Sequence, residues 1–178
     1  MAEKLYFAYG SNINLEQMAY RCPGAHVVGP VTLENYELLF RGNARGIGVA
    51  TIEPGEGGQV HGLLWRITPA CEQPLDLYEG YPRLYEKEMV TVRDSENRQL
   101  TVMAYVMTDH ELWRFPALPS AAYYHGIQEG YRQNGLPVAE LKKALAYCAK
   151  EVGLEKTRIN RIFGEGGKPP QRKNGHER

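Results

Sequence analysis

The chain has 178 residues, of which 43% are hydrophobic and 24% are charged, and its 21 basic and 21 acidic side chains give a net charge of zero. This composition excludes a mainly disordered protein and predicts one globular domain. No apolar stretch approaches the roughly 20 residues that a membrane helix needs, so we expect no membrane partner.

The charge is distributed unevenly along the chain. Residues 156–178 contain seven Lys or Arg and two Asp or Glu, and the preceding part carries the compensating negative charge. We therefore predict a single domain over residues 1–155 and a basic C-terminal tail over residues 156–178. A basic tail can bind nucleic acid, but this one has few aromatic side chains to stack on bases, so a nucleic-acid partner is not expected.

The N-terminus and the cysteines favour a cytoplasmic protein. Residues 1–4 lead directly into an apolar segment without the pattern of a signal peptide. Cys22, Cys71 and Cys148 are an odd number without close spacing, which fits neither a disulfide framework nor a zinc site. We expect reduced thiols. The five histidines are scattered, with no pair at metal-ligand spacing, so we expect no metal.

The first half of the chain is rich in predicted strands. Residues 5–9 form an apolar run that predicts a buried strand. Asn14 can cap a short helix, with Gln17 at the reciprocal capping-box position, and this helix should end near residues 23–24. Four further strands are predicted over residues 25–33, 36–41, 48–52 and 60–67. Glycines between them indicate a curled or barrel-like sheet.

A helix and a hairpin are predicted next. Thr68 followed by Pro69 is typical of a helix start. Pro74 interrupts the pattern and predicts two short turns in place of one helix. Residues 85–93 and 99–107 predict an antiparallel pair.

The last third is predicted to be helical. Ser120 caps a segment that runs to Gly135, and Pro137 opens a second helix, with Gly153 past its end. Residues after about Phe163 are rich in Gly, Pro and charge, so we predict a loose tail.

Three features could carry chemistry, and the first two are a loop and a glutamate. Tyr9-Gly10-Ser11-Asn12 follows a strand and precedes a helix, where backbone N–H groups converge and can bind an anion or an oxyanion. Glu79 has apolar and aromatic neighbours in the sequence, which would raise its pKa toward neutrality. A group that acts first as a base and then as an acid needs such a pKa. Taken singly, each feature also fits an ordinary turn or a solvated glutamate.

Three tyrosines form the third feature. Tyr85, Tyr105 and Tyr123 offer apolar walls with one hydroxyl each, which suits the orientation of a small polar ligand. Core packing is the alternative that the residues alone leave open.

Taken together and in order, these motifs resemble the γ-glutamylcyclotransferase family, including its γ-glutamylamine cyclotransferase-like and AIG2-like branches. The resemblance covers roughly residues 4–140. Its segments are residues 5–12, 48–52, 60–65, 75–82 with Tyr85, 104–108, 119–123 and 134–137.

The resemblance implies an α+β fold, a mixed β-barrel with flanking helices. It also implies an intramolecular attack of a γ-glutamyl α-amine on its own γ-carbonyl, which releases 5-oxoproline and an amine or amino acid. Glu79 would move the protons, the backbone around Gly10 and Ser11 would hold substrate oxygens, and Tyr85, Tyr105 and Tyr123 would wall the substrate. No metal or cofactor is implied.

Three questions stay open in the sequence. The leaving group on the γ-carbonyl is undetermined, although residues 109–118, which include Trp113, Arg114 and Phe115, and the helix after Ser120 are predicted to bind it. A binding module that holds a γ-glutamyl or other carboxylate ligand without turnover is the alternative function. A homodimer is the oligomeric state left open.

Overall fold

A computed structural model describes residues 3–110 and 114–163 of this chain. Its elements follow in chain order. They are β1 (Lys4–Ala8), a short 3₁₀ helix (Ser11–Ile13), α1 (Leu15–Arg21), β2 (His26–Gly42), β3 (Gly48–Ile67), α2 (Pro69–Glu79), β4 (Tyr85–Asp94), β5 (Gln99–Met107), α3 (Ala121–Gln133) and α4 (Val138–Phe163).

The five strands form a closed barrel in the order β1-β3-β2-β4-β5. β1 pairs with β5 in parallel and with β3 antiparallel, and every other neighbouring pair is antiparallel. The predicted mixed barrel with flanking helices is therefore confirmed.

The four strands predicted between residues 25 and 67 are two long ones. β2 and β3 pair along almost their whole length, with irregularities between Val27 and Gly29 and between Glu34 and Tyr36. At the second irregularity, residues 55–58 of β3 lie opposite one residue of β2, Asn35, which has φ 59°. The turn residues that suggested separate strands therefore form a bulge that bends a continuous pair.

Two helix predictions also differ from the structure. Pro74 lies inside a continuous α2, because the helix loses only one backbone hydrogen bond there and its other turns remain intact. α4 passes Gly153 and continues to Phe163, so residues 156–163 extend a helix. Residues 164–178, the rest of the predicted tail, lie outside the described part.

The cysteine prediction is wrong for two of the three residues. Cys22 and Cys71 form a disulfide, with their Cα atoms 5.1 Å apart, although they are separated by 49 positions in sequence. The fold places the end of α1 beside the start of α2, and this proximity cannot be read from spacing. Cys148 is a free, buried thiol, as predicted for it.

The helices cover one side of the barrel and hold the loop that follows β1. Gly130 of α3 approaches this loop so closely that a Cβ there would lie 2.5 Å from Ile13 Cγ1. Asn134 donates to the Ile13 carbonyl at 2.9 Å, and the Leu15 N–H donates to Gln133. None of the helices in the described residues has the length and apolar character needed to cross a membrane.

Candidate active site

The loop between β1 and α1 is built as a rigid turn. Gly10 precedes the 3₁₀ helix, and the Trp65 indole N–H donates to the Asn12 carbonyl at 3.0 Å. Ser11 and Asn12 are both buried. Within the described residues, no acceptor pairs with their backbone N–H groups. Two amide donors of the loop therefore have no acceptor in this part of the protein, which is a condition for binding an anion or oxyanion.

Asn14 caps α1 by accepting from the Gln17 N–H at 3.0 Å, as predicted. The second half of the predicted capping box does not form, because the Gln17 side chain accepts from Arg21 instead.

Gly10 has a steric reason to be glycine. A Cβ at this position would lie 3.2 Å from Ala50 Cβ and 3.5 Å from the Tyr123 hydroxyl. The missing side chain keeps space open beside that hydroxyl.

Glu79 is the last residue of α2 and points toward this loop. The helix ends there because Gly80 takes the left-handed conformation, with φ 67°. The Asn12 side-chain N–H group donates to Glu79 Oε1 at 2.8 Å. Residues 67 positions apart are thus in direct contact.

Burial raises the pKa of Glu79 to about 7, while the Arg21 guanidinium and the hydrogen bond from Asn12 act in the opposite direction. Burial was the predicted cause of a raised pKa of Glu79, in agreement with the structure, but the residues predicted to bury the carboxyl group are wrong in part. Leu77 is 84% exposed and Tyr81 is 42% exposed, so these sequence neighbours do little to desolvate the carboxyl group. Other elements of the fold supply most of the surrounding wall.

The three predicted tyrosines use their hydroxyls differently. Tyr85 donates to the Ala50 carbonyl, and Tyr105 donates to Asp76 Oδ1, each at 2.5 Å. The Tyr123 hydroxyl accepts from the Ala50 N–H at 3.0 Å, so its own hydrogen is not used in that bond. Tyr123 is therefore the one of these three that keeps a donor for a ligand.

All eight residues predicted for the site line one cavity of about 240 Å³. Tyr9 belongs to the wall, because its hydroxyl donates to the Tyr105 carbonyl at 2.5 Å. The residues that sequence reasoning did not assign to the site are Tyr6, Asn43, Val49, Ala50, Tyr78 and Leu84. The sequence around these residues is typical of packed strands and loops, and it contains no signal that they line a site.

Arg21 is a further residue that the sequence did not single out. Its guanidinium donates to Ser11 Oγ at 3.1 Å and to Asn12 Oδ1 at 2.8 Å, and it lies 3.7 Å from the centre of the Tyr78 ring. A basic residue in the last turn of a helix is common for reasons of the helix dipole alone, so its position carried no signal.

The described residues of the segment 109–118, which was predicted to bind the leaving group, do not line the cavity, whereas Tyr123 of the helix after Ser120 does. Arg114 pairs with Glu53 and Asp109, and the Phe115 carbonyl accepts from the Gly42 N–H. Trp113, also considered for this role, lies outside the described residues. Within the described chain, no group of three or more His, Cys, Asp or Glu side chains is arranged to hold a metal ion.

Comparison with known proteins agrees with this geometry. The sequence model of the family described as "Gamma-glutamyl cyclotransferase, AIG2-like" matches residues 6–126. Among curated relatives, a Bos taurus protein named gamma-glutamylcyclotransferase is 35% identical over 147 residues, covering 78% of this chain and 76% of its own. The Homo sapiens protein of the same name is 34% identical over 150 residues, covering 80% and 77%.

A solved structure titled gamma-glutamyl cyclotransferase superposes with a TM-score of 0.70 at 32% identity, covering 80% of this chain and 86% of that one. The shared region contains the loop after β1, α2 with Glu79, the strands β4 and β5 with Tyr85 and Tyr105, and the first turn of α3 with Tyr123. This chain belongs to the AIG2-like gamma-glutamyl cyclotransferase family.

Proposed function

We propose that this protein is a γ-glutamylcyclotransferase. It converts a γ-glutamyl compound into 5-oxoproline and a free amine or amino acid. The observation that carries the proposal is a partly buried carboxyl group, Glu79, with a pKa of about 7, in one cavity with two amide donors and a wall of tyrosines.

The first step is a proton transfer. An α-amine has a pKa of about 8 and is mostly protonated at neutral pH, so it is not nucleophilic until a base removes a proton. Glu79 as the carboxylate takes this proton. A base with a pKa near 7 can accept it and can still return it later.

The ring then forms within one molecule. The free amine attacks the γ-carbonyl carbon and gives a tetrahedral intermediate whose oxygen carries the negative charge. In this mechanism the backbone N–H groups of Ser11 and Asn12, which have no acceptor among the described residues, bind that oxygen. Collapse breaks the bond to the leaving nitrogen, and protonated Glu79 gives that nitrogen its proton. The Glu79 carboxylate then takes the surplus proton from the ring nitrogen and passes it to the released amine, so the products are the neutral lactam of 5-oxoproline and an ammonium group. The site mainly has to hold the substrate in a cyclic geometry.

The tyrosines have two different roles in this mechanism. Tyr9, Tyr85 and Tyr105 have hydroxyls committed to the protein and act as walls. Tyr123 donates to the substrate. Asn43, Val49 and Leu84 are the lining residues left to contact the leaving group.

Glu79→Gln tests the proposal. The amide keeps the shape of the side chain and cannot accept the α-ammonium proton, so 5-oxoproline release should fall by about 10³-fold or more. The measurement is 5-oxoproline release from a panel of γ-glutamyl amino acids and γ-glutamyl amines. Glu86→Gln, on the exposed side of β4, is the matched control and should retain parental rates.

Two results would reject this function. One is parental turnover by Glu79→Gln, which would remove the proton-transfer role. The other is tight binding of γ-glutamyl compounds by the parent without any product, which would favour a binding module.

We further propose a cytoplasmic location and a homodimer. The free thiol of Cys148 supports a reducing compartment, whereas the Cys22–Cys71 disulfide is uncommon in one. The feature that a partner would cover is the pair of helices α1 and α2, which contact each other and carry the largely exposed Tyr20 and Leu77. Cell fractionation tests the location, and recovery in a membrane fraction would reject it. Sedimentation velocity tests the homodimer, and a monomer would reject it.

A further inference from the structure

Arg21 occupies a central place behind the candidate site. It is the last residue of α1, and it is partly buried. One guanidinium nitrogen, Nη1, donates to both Ser11 Oγ and Asn12 Oδ1, and Nη2 donates to Gln17 Oε1 at 2.8 Å. A planar guanidinium holds several acceptors at set angles, which an ammonium group cannot do.

These bonds determine which way the Asn12 side chain faces. Its Oδ1 accepts from Arg21, so its Nδ2 points the other way and donates to Glu79 Oε1 at 2.8 Å and to the Tyr6 hydroxyl at 3.0 Å. If the amide turned over, its oxygen would face the carboxylate and its NH₂ would face a cation. Arg21 therefore selects the one orientation in which Asn12 serves as a donor to Glu79.

The guanidinium also contacts the end of α2. It stacks on the ring of Tyr78, the residue before Glu79, and the Tyr78 hydroxyl is 3.1 Å from Ser11 Oγ. Stacking of a cation on an aromatic ring is favourable in partly desolvated places. One side chain thus connects α1, the loop after β1 and the helix end that carries the carboxyl group.

We propose that Arg21 is a positioning residue for the reaction: it fixes the Asn12 amide and the end of α2 so that the Glu79 carboxylate is held as a hydrogen-bond acceptor facing the substrate. This inference rests on the proposed function, and it assigns Arg21 no contact with substrate.

The charge of Arg21 gives the proposal a measurable signature. Apart from Glu79, the polar side chains that line the cavity in the described part of the chain are all Asn, Ser or Tyr. They are Ser11, Asn12, Asn43, Tyr6, Tyr9, Tyr78, Tyr85, Tyr105 and Tyr123. Behind Tyr105, Asp76 of α2 pairs with Lys87 of β4. Arg21 is the positive charge that lowers the pKa of Glu79 against the effect of burial. Its removal should raise that pKa, so that less of Glu79 is present as the proton-accepting carboxylate at neutral pH.

Arg21→Gln and Arg21→Lys separate charge from geometry. In Arg21→Gln, the acidic limb of the kcat/KM profile should move to higher pH by about one pH unit, because the opposite charge is lost. Arg21→Lys keeps the positive charge but loses the planar guanidinium that holds Ser11, Asn12 and Gln17 together. Its acidic limb should stay near the parental position, while kcat falls about ten-fold with little change in KM. Arg132→Gln, on the exposed side of α3, is the control and should match the parent.

A second measurement does not depend on turnover. The Glu79 carboxyl carbon can be titrated by NMR in protein labelled with ¹³C at glutamate Cδ, with the signal assigned by its absence in Glu79→Gln. The proposal expects a higher midpoint in Arg21→Gln than in the parent.

Unchanged midpoints and profiles in Arg21→Gln, or a parental kcat in Arg21→Lys, overturn the proposal. A lower melting temperature with an unshifted profile overturns it as well, because that outcome describes a purely structural residue. If Arg21→Gln does not fold, the kcat of Arg21→Lys decides. Failure of the parent to release 5-oxoproline would reject the proposed function, and the NMR titration would still test how Arg21 affects Glu79.

Discussion

Glu79 is held in an environment that favours its neutral form. Its ordinary pKa of 4.5 rises to about 7 in the fold, chiefly because burial disfavours the carboxylate. A group with a raised folded-state pKa contributes stability that is complete below the unfolded-state pKa and is lost as the pH rises through the folded-state value. At neutral pH the buried Glu79 therefore lowers the stability of the folded state, and the proposed proton transfer requires this burial.

The first prediction concerns this cost. Glu79→Gln should be more stable than the parent above about pH 7.5, by about 2–3 kcal/mol. The difference should shrink to a pH-independent offset below about pH 4.5, where the parent is protonated in both states. Urea denaturation at a series of pH values measures it. A difference that stays constant with pH would contradict the raised pKa.

Tyr123 and Tyr85 form a natural pair for a second prediction. Each hydroxyl bonds to the backbone of Ala50, one to its N–H and one to its carbonyl. Tyr123→Phe and Tyr85→Phe should each lose about 1 kcal/mol of stability. Only Tyr123→Phe should also lower kcat/KM, by about ten-fold, because only Tyr123 has a free donor. Equal effects of the two changes on kcat/KM would remove the assigned role of Tyr123.

At the scale of elements, α2 is the segment that presents Glu79, and other elements hold it in place. Lys87 of β4 donates to Glu72 and Asp76, and Tyr105 of β5 also donates to Asp76. Burial of Cys71 and Leu75 completes the attachment. The proline inside the helix is tolerated because these contacts, and not local propensity, keep α2 folded.

Pro74→Ala is the prediction for this element. Pro74 is exposed, so the change opens no cavity, and it restores an N–H donor for the Ala70 carbonyl. The gain is reduced by the greater freedom of the unfolded chain, which leaves a net stabilisation of about 1–2 kcal/mol. Urea denaturation measures it, and 5-oxoproline release should be unchanged. A destabilised variant would show that α2 needs the proline.

At the scale of the whole molecule, a covalent link joins two elements that are far apart in sequence. The Cys22–Cys71 disulfide closes a segment that contains β2, β3 and the hairpin between them. It also lies next to Arg21 and on the same helix as Glu79. The bridge therefore limits how far α1 and α2 can separate.

The corresponding prediction uses the double variant Cys22→Ser/Cys71→Ser. Loss of a cross-link over 49 positions should lower the free energy of unfolding by about 2–4 kcal/mol. Cys148→Ser is unsuitable as a control because that thiol is buried, so the parent with and without reductant serves as the comparison. Peptide mapping without reductant should recover the linked pair, and two alkylated cysteines in its place would contradict the bridge.

The sequence by itself determined most of the local structure. The first strand, the cap of α1 by Asn14, the start of α2 at Thr68 and the hairpin of β4 and β5 depend on residues close together in the chain, and all were predicted correctly. The loop at residues 9–12 and Glu79 were singled out because, taken together and in order, they match the motifs of a known family, and the fold brings them to one cavity.

Only the tertiary structure decided what depends on distant partners. The bend of β2 and β3, the continuity of α2 through Pro74 and the pairing of Cys22 with Cys71 arise from contacts across the fold, so turn residues and spacing misled the prediction. The position of Arg21 behind the candidate site was not predicted for the same reason. Its importance comes from Asn12 and Tyr78, which barrel closure and helix packing bring to it, and a pattern along one helix contains no record of such contacts.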